Sequence, residues 1–362
     1  MSRTATPTIR SMQVRAVRVP MTRPHKTASG TITESPLVLV DLITDDGVVG
    51  HGMIFTYMTA ALGPTADLVR NLEPLVKGEP LEPAALEQKL ARRFRLLGPQ
   101  GLVGMALAAI DMALWDALAR TRGLSLVRML GGAEKALAAY GAVGYDTPDV
   151  CAREAASWME KGFTGVKAKI GHPTVADDVA VIRAMRKAIG DAAAIMVDYN
   201  QCLSPVEAIV RLRALEGEGL TWVEEPTLAH DHAGHAQIAA ASSTPIQCGE
   251  NWWGTTDLRH ALDARASDYV MLDVMKIGGV TGWLRGAALA EAQAIPISSH
   301  LWPETSAQLL CLTPTAHWLE YADWWNAVLA EPLVVENGLA KIDGASGTGV
   351  AWNERAVERF RT

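Results

Sequence analysis

The chain has 362 residues, of which 49% are hydrophobic and 20% charged, a composition that excludes a largely disordered protein. At roughly 150 residues per ordinary domain it is too long for one, and it fits a small domain attached to a large α/β barrel. A formal charge of −7 excludes general affinity for nucleic acid or acidic membrane surfaces, so an anionic ligand requires a local cation.

Cys151, Cys202, Cys248 and Cys311 form no C-x-x-C pair and read as reduced thiols. The first twenty residues, MSRTATPTIRSMQVRAVRVP, lack the apolar core of a signal peptide, and together these features predict a cytoplasmic protein. The most apolar stretch, 101–119, is interrupted by Asp111 and Asp116 and is not expected to span a membrane.

Residues 1–10 are polar. MQVRAVRVP and SPLVLVDLITDDGVVGHG read as strands, with Asp45, Asp46 and Gly47 marking a hairpin. From Thr59 to about Leu130 the pattern is helical, which predicts an α+β domain over 1–130. Over 131–337, eight short apolar runs alternate with helical segments: LAAYGAVGY, FTGVKAKIG, AIMVDYN, LTWVEEP, TPIQCGE, DYVMLDVMK, IPISSH and TAHWLEY. This alternation predicts an α/β fold with a (β/α)7–8 TIM-type barrel. No G-x-G-x-x-G follows any strand, so KIGGVTG reads as a tight loop rather than a dinucleotide site. The tail, 338–362, has weak strand character and is expected to rejoin the first domain.

Nearly every barrel run ends in an ionisable residue: Lys169, Asp198, Glu224, Glu250, Asp273, His300 and Glu320. One such acid could simply cap the next helix. Seven at barrel spacing converge on the C-terminal mouth, where barrel enzymes keep their chemistry. Asp198, Glu224 and Glu250 set three carboxylates side by side, which repel unless a cation lies between them. Oxygen ligands favour Mg²⁺, with Mn²⁺ also suited. Lys167 and Lys169 share one strand face, so mutual repulsion is expected to lower the pKa of at least one and make it a base. Asp273 can reach His300 from the adjacent strand and fix its tautomer, giving a second acid/base. Glu320, if neutral, can donate a hydrogen bond to an oxyanion. The assembly suits a small carboxylate substrate whose α-proton is removed to leave an enediolate. His230, His232 and His235 lie close together, but their loop position favours a structural role over a metal cluster. Trp252, Trp253, Trp324 and Trp325 read as core or interface residues.

The stretches KAKIG (167–171), MVDYNQ (196–201), WVEEPTLAHD (222–231), GENW (249–252), DVMKIGGVTGW (273–283), SSHL (298–301) and PTAHWLE (314–320) resemble those of the enolase superfamily, mandelate racemase subgroup. PLVLVDL and AAIDMALWDAL match as well, so the likeness covers nearly the whole chain. The resemblance implies a capping domain whose loops close over the mouth, and a homo-oligomer, octamer or dimer. It implies Lys169 and His300 as the two bases, Asp273 orienting the histidine, and Glu320 as electrophilic acid. Asp198, Glu224 and Glu250 would bind Mg²⁺, and the family pattern selects Glu224 over Glu225 as the inward residue. Asn200 would contact substrate or a metal-bound water, while Lys167, with the metal and Glu320, is expected to bind the substrate and stabilise the enediolate charge.

The departures concern the substrate. Mandelate racemases carry Asp-Ser after the tyrosine of the first barrel strand; here Tyr140 is followed by Gly141 and Ala142. Their capping loop is valine-rich, whereas this one reads Arg23, Pro24, His25, Lys26, Thr27, Ala28, Ser29, Gly30. A leucine after the eighth strand is replaced by Ala322. The polar loop predicts a polar or anionic distal group as readily as a phenyl ring, with His25 and Tyr57 as candidate contacts and Phe55 beside them. Racemisation of a 2-hydroxy acid and dehydration of a sugar acid use the same residues; the polar loop favours dehydration and the overall match favours racemisation. A non-catalytic binding protein is the contrasting reading, and it would be marked by a lost base or ligand, of which there is none.

Overall fold

A computed structural model describes residues 6–27, 30–342 and 344–362. The readings placed on residues 1–5 and on Ala28 and Ser29 lie outside the described residues. The chain first forms an antiparallel sheet of β1 (Ile9–Thr27), β2 (Gly30–Thr44) and β3 (Val49–Phe55). The hairpin joining β2 to β3 turns at Asp45, Asp46 and Gly47, where the Thr44 amide donates to Val48 O at 2.9 Å.

β1 runs further than the sequence indicates. Pro20 and Pro24 argue against a continuous strand, yet pairing resumes after an irregularity between Pro20 and His25, with His25 opposite Ile32 and Lys26 opposite Thr31. The segment read as a capping loop is therefore the outer end of a hairpin. Strand alternation turns His25 inward, at 6% exposure, and Lys26 outward.

Helices α1 (Thr59–Val76), α2 (Pro83–Arg93), α3 (Gly101–Thr121) and α4 (Leu126–Met129) follow. α3 is long and apolar enough to cross a bilayer, but 72% of its apolar window is buried inside the fold. Its two aspartates are used internally. Asp111 accepts from the Thr281 amide at 2.9 Å, and Asp116 accepts from the His51 amide at 2.8 Å. A helix apolar on all sides is what a core position requires.

The barrel begins with β4 (Leu137–Val143), α5 (Pro148–Glu160), β5 (Gly165–Lys169), α6 (Val175–Ile189) and β6 (Ala194–Asp198). It continues through α7 (Pro205–Leu215), β7 (Val223–Glu224), α8 (His232–Ala241), β8 (Ile246–Cys248) and α9 (Gly254–Ala264). β9 (Tyr269–Asp273), α10 (Gly279–Glu291), β10 (Ile297–His300), α11 (Pro303–Leu312) and β11 (Leu319–Tyr321) complete it. All eight expected strands form. β4 to β10 pair in chain order, all parallel, and β11 pairs with β4. The Ser299 amide donates to Trp318 O at 3.0 Å, linking β10 to the last stave. The buried rings and sulfurs of Tyr140, Met196, Trp222 and Met271 plug the interior.

No α-helix directly follows β11 among the described residues, where only a short 3-10 turn (Asn326–Val328) intervenes. Instead β12 (Val334–Glu336) and β13 (Leu339–Lys341) form a hairpin, and β13 pairs antiparallel with β4 at Leu137 and Ala138. The first part of the tail thus belongs to the barrel, contrary to expectation, because the missing eighth helix leaves this edge of β4 to be covered. Later residues do reach the first sheet. Trp352 Nε1 donates to Asp41 at 2.6 Å, Arg15 pairs with Glu354 at the start of α12 (Glu354–Phe360), and the Thr362 amide bonds Ala16 O at 3.1 Å.

Candidate active site

Three carboxylates meet at the barrel mouth. Asp198 ends β6 and Glu224 ends β7 in direct register, while Glu250 follows β8. One oxygen from each lies within 4.8 Å of the others, and all three residues are buried. Gly249 makes this approach possible: at φ +136° a Cβ there would stand 2.6 Å from Met271 O. The backbone turns left-handed just beyond the strand ends, at Asn200, Gln201 and Glu225, the kind of strain that clusters at functional sites.

This cage fits a hard divalent cation. Burial, assisted by Asp198 and Glu250, pushes the Glu224 carboxyl well above its usual range despite Lys167. Oε2 of Glu250 is buried and makes no well-aligned hydrogen bond among the described residues, its nearest cation being the His300 imidazole. Around the mouth, Asp198, Glu224, Glu225, Glu250, Asp273 and Glu320 are buried against Lys167, Lys169, Lys276 and His300. Fully ionised, that set lacks two positive charges, the charge of Mg²⁺.

Lys167 and Lys169 both point inward from β5, at 1% and 9% exposure. Lys167 Nζ lies 2.8 Å from Glu320 Oε1 and also bonds Glu224, while Lys169 bonds Asp198. The expectation of a depressed lysine is not met. Burial disfavours each ammonium, but Glu224 and Glu320 raise Lys167, and Asp198 raises Lys169 above the ordinary value. Carboxylates from other strands outweigh the like-charged neighbour two residues away.

His300 Nδ1 lies 2.6 Å from Asp273 Oδ2, and the Met275 and Lys276 amides hold Asp273 Oδ1 at 2.8 and 2.9 Å. The other imidazole nitrogen stands 3.2 Å from Glu250 Oε2. Burial works against the imidazolium, yet Glu250 and Asp273 raise the His300 pKa above its ordinary value. Glu320 accepts from the Leu301 amide at 3.0 Å and from the Tyr140 hydroxyl at 3.4 Å. A neutral Glu320 that donates a hydrogen bond is the expectation from sequence. Here burial favours that form, but Lys167 and His300 overcome it and bring the pKa down to about 2, leaving the group ionised.

The cover differs from the polar one expected. Lys26 pairs with Asp146 at the rim, and Arg23 reaches Ser157 at 3.4 Å and Glu154 at 3.6 Å. Of the loop's ionisable side chains only His25 faces inward, its ring centroid 4.6 Å from that of Trp324. Burial, then Lys169, lowers the His25 pKa to about 3, so it is neutral. The Phe55 ring packs tilted against Tyr57 at 4.6 Å and Trp324 at 5.8 Å between centroids, which makes the cover largely aromatic. His25 Nε2, the Tyr57 hydroxyl and Asn200 Oδ1 are buried without hydrogen-bond partners among the described residues. Asn200 otherwise donates to Asp198 through its amide, at 2.6 Å, and its side chain, at 3.1 Å. At Gly141 the Trp158 ring would stand 2.2 Å from an added Cβ, so the position admits no side chain without a shift of that ring.

Sequence reasoning missed Glu225, Asn251 and Lys276. Alternation predicts that Glu225 faces away from Glu224, but at φ +38° the pleat is broken and Glu225 is buried beside Asn251, whose Nδ2 lies 2.7 Å from it. Two acids in tandem at a strand end were the available signal. The histidine cluster is structural: Asp231 caps α8 at the Gly234 amide, His232 pairs with Asp257 at 2.9 Å, and His235 Nδ1 lies 3.2 Å from Asp231 O.

A capping sheet and helices above a closed parallel barrel, with an oxygen-lined cage at its mouth, define a magnesium-dependent barrel enzyme. Residues 9–131 match the mandelate racemase / muconate lactonizing enzyme N-terminal domain, and residues 150–356 match the enolase C-terminal domain-like family. The chain belongs to the enolase superfamily, among the mandelate racemase and muconate lactonizing enzyme relatives. A crystallised enolase from Bradyrhizobium, complexed with magnesium and mandelic acid, is 43% identical with a TM-score of 0.94, covering 99% of each chain. L-talarate/galactarate dehydratase of Salmonella typhimurium is 31% identical over 90% of this chain and 82% of its own. L-Ala-D/L-Glu epimerase of Bacillus subtilis is 33% identical, over 83% and 82%. Relatives thus include both an epimerase and a dehydratase, so the family is shown and the particular reaction is not.

Proposed function

We propose that this enzyme racemises a 2-hydroxy acid by moving its α-proton between two bases, Lys169 and His300. The supporting observation is topological. Lys169 ends the second stave and His300 the seventh, so they approach from opposite arcs of an eight-stave ring, with Asp198, Glu224 and Glu250 on the staves between. These three acids would hold magnesium, which when bound supplies Lewis-acid stabilisation of negative charge on the substrate carboxylate.

Lys169 takes the α-proton from one face as a neutral amine, a form that becomes accessible when Asp198 no longer serves its ammonium alone. His300, whose imidazolium Glu250 and Asp273 stabilise, returns a proton to the other face; the reverse reaction exchanges the roles. Lys167 donates to the substrate carboxylate. Negative charge gathering beside Glu320 favours its protonation, the condition for it to donate a hydrogen bond. The aromatic cover and the outward engagement of Lys26 and Arg23 leave no cation from this loop for a second carboxylate, which favours an uncharged distal group.

A second reading, dehydration of a sugar acid, is favoured by the unpartnered His25 Nε2, Tyr57 hydroxyl and Asn200 Oδ1, which match substrate hydroxyls. In it one base removes the α-proton and the opposite acid protonates the departing β-hydroxyl. Incubation with 2-hydroxy acids and sugar acids in D₂O separates the two. Deuterium at the α-carbon of an otherwise intact acid supports racemisation, and loss of water supports dehydration.

A further inference from the structure

Glu250 is the one metal-cage acid that lies beyond its strand end, on a backbone that glycine has already made permissive. Something else must hold its carboxylate in place. Its Oε1 accepts from Asn251 Nδ2 at 3.0 Å, and the same nitrogen bonds both Glu225 oxygens, at 2.9 and 2.7 Å. An amide can do this only in one of its two flipped orientations. The opposite end of that amide, Oδ1, receives Lys276 Nζ at 2.5 Å. Lys276 is 8% exposed, and its ammonium lies 4.8 Å from the Tyr57 ring centroid, on the capping side of the site.

We propose that Lys276 is a positioning residue for the metal cage: by donating to Asn251 it fixes the amide that holds Glu250 and Glu225. An ammonium has no acceptor, so with Lys276 present the Asn251 oxygen must face it and the NH₂ must face the two carboxylates. Tyr57 anchors the ammonium from the capping domain, which ties assembly of the cage to that domain's placement. This role requires Glu250 to be a metal ligand, as in the proposed function, whichever reaction follows.

Electrostatics and positioning predict opposite outcomes here. A lysine near a dication repels it, so charge removal alone tightens metal binding. Loss of a partner that orients a ligand typically weakens binding, by about 10- to 100-fold. The test is calorimetric titration of Mg²⁺, without substrate, into the whole metal-stripped enzyme and its Lys276→Met, Lys276→Arg and Asn251→Leu variants. The proposal expects Lys276→Met and Asn251→Leu each to weaken Mg²⁺ about tenfold, and the double variant no further, since both break one link. Lys276→Arg should recover most of the affinity, because a guanidinium, like the ammonium, only donates and so keeps the Asn251 oxygen facing it. Unchanged or tighter Mg²⁺ binding by Lys276→Met overturns the proposal, as does an additive double variant. If Lys276→Met does not fold, as read by circular dichroism, Asn251→Leu decides: wild-type affinity there overturns it equally. Failure of the wild type itself to bind Mg²⁺ overturns the cage assignment as well, whereas binding without racemisation or dehydration leaves this inference standing and sinks only the proposed reaction.

Discussion

Asp273 and His300 stand directly opposite each other in the β9–β10 register, and their side chains meet at 2.6 Å through Oδ2 and Nδ1. Two backbone amides on the far oxygen of Asp273 hold the carboxylate in place. The imidazole is thereby held with its other nitrogen turned to the mouth, beside Glu250.

Asp273→Asn keeps the shape but removes the charge that stabilises the imidazolium. Exchange dependent on His300 should fall by about 10²-fold or more, and exchange from the opposite face should fall less. Measuring α-proton exchange separately with each enantiomer checks this; equal losses for both would contradict it.

Exhaustive chelation should abolish turnover, and added Mg²⁺ should restore it. Glu224→Gln removes one ligand charge from the cage and should weaken Mg²⁺ by about 10²-fold, read by titration without substrate. Turnover surviving chelation would contradict the cage.

The cover predicts selectivity. A 2-hydroxy acid with an aromatic or other uncharged substituent should show kcat/KM about 10²-fold above an aldaric dianion of similar size, because burying an unpaired distal carboxylate costs several kcal/mol. Initial rates on such a pair measure it, and a preference for the dianion would contradict the reading of Lys26 and Arg23 as turned away.

Stability should fall in mild acid. His25 and His235 are buried and neutral, with pKa values lowered to about 3 and about 4 mainly by burial. Below about pH 6.5 the unfolded chain gains protons that these folded imidazoles refuse, so stability drops as pH falls, by about 2 kcal/mol per histidine at pH 5. Urea denaturation at pH 7.5 and pH 5 should show His25→Asn losing about 2 kcal/mol less than wild type over that interval.

The barrel was legible because its signal is periodic. An ionisable residue at the end of each stave survives any uncertainty in the exact strand bounds, and that placed Lys169, Asp198, Glu224, Glu250, Asp273, His300 and Glu320 at one mouth. What stayed hidden depends on side-chain distances or broken periodicity. Glu225 turns inward only because φ +38° interrupts the pleat. The charge states of Lys169 and Glu320 follow from partners on other strands, and distance along the chain does not report them. The prolines in β1 disguised a paired hairpin as a loop, and with it the opposite directions of His25 and Lys26.

The most direct test follows α-proton exchange in D₂O, with Mg²⁺ present, for the two enantiomers of one accepted 2-hydroxy acid in Lys169→Ala and His300→Asn enzymes. Two-base chemistry predicts that each variant loses exchange from one enantiomer and keeps it from the other, with the preference reversed between variants. Wild-type exchange of both enantiomers by Lys169→Ala would contradict it.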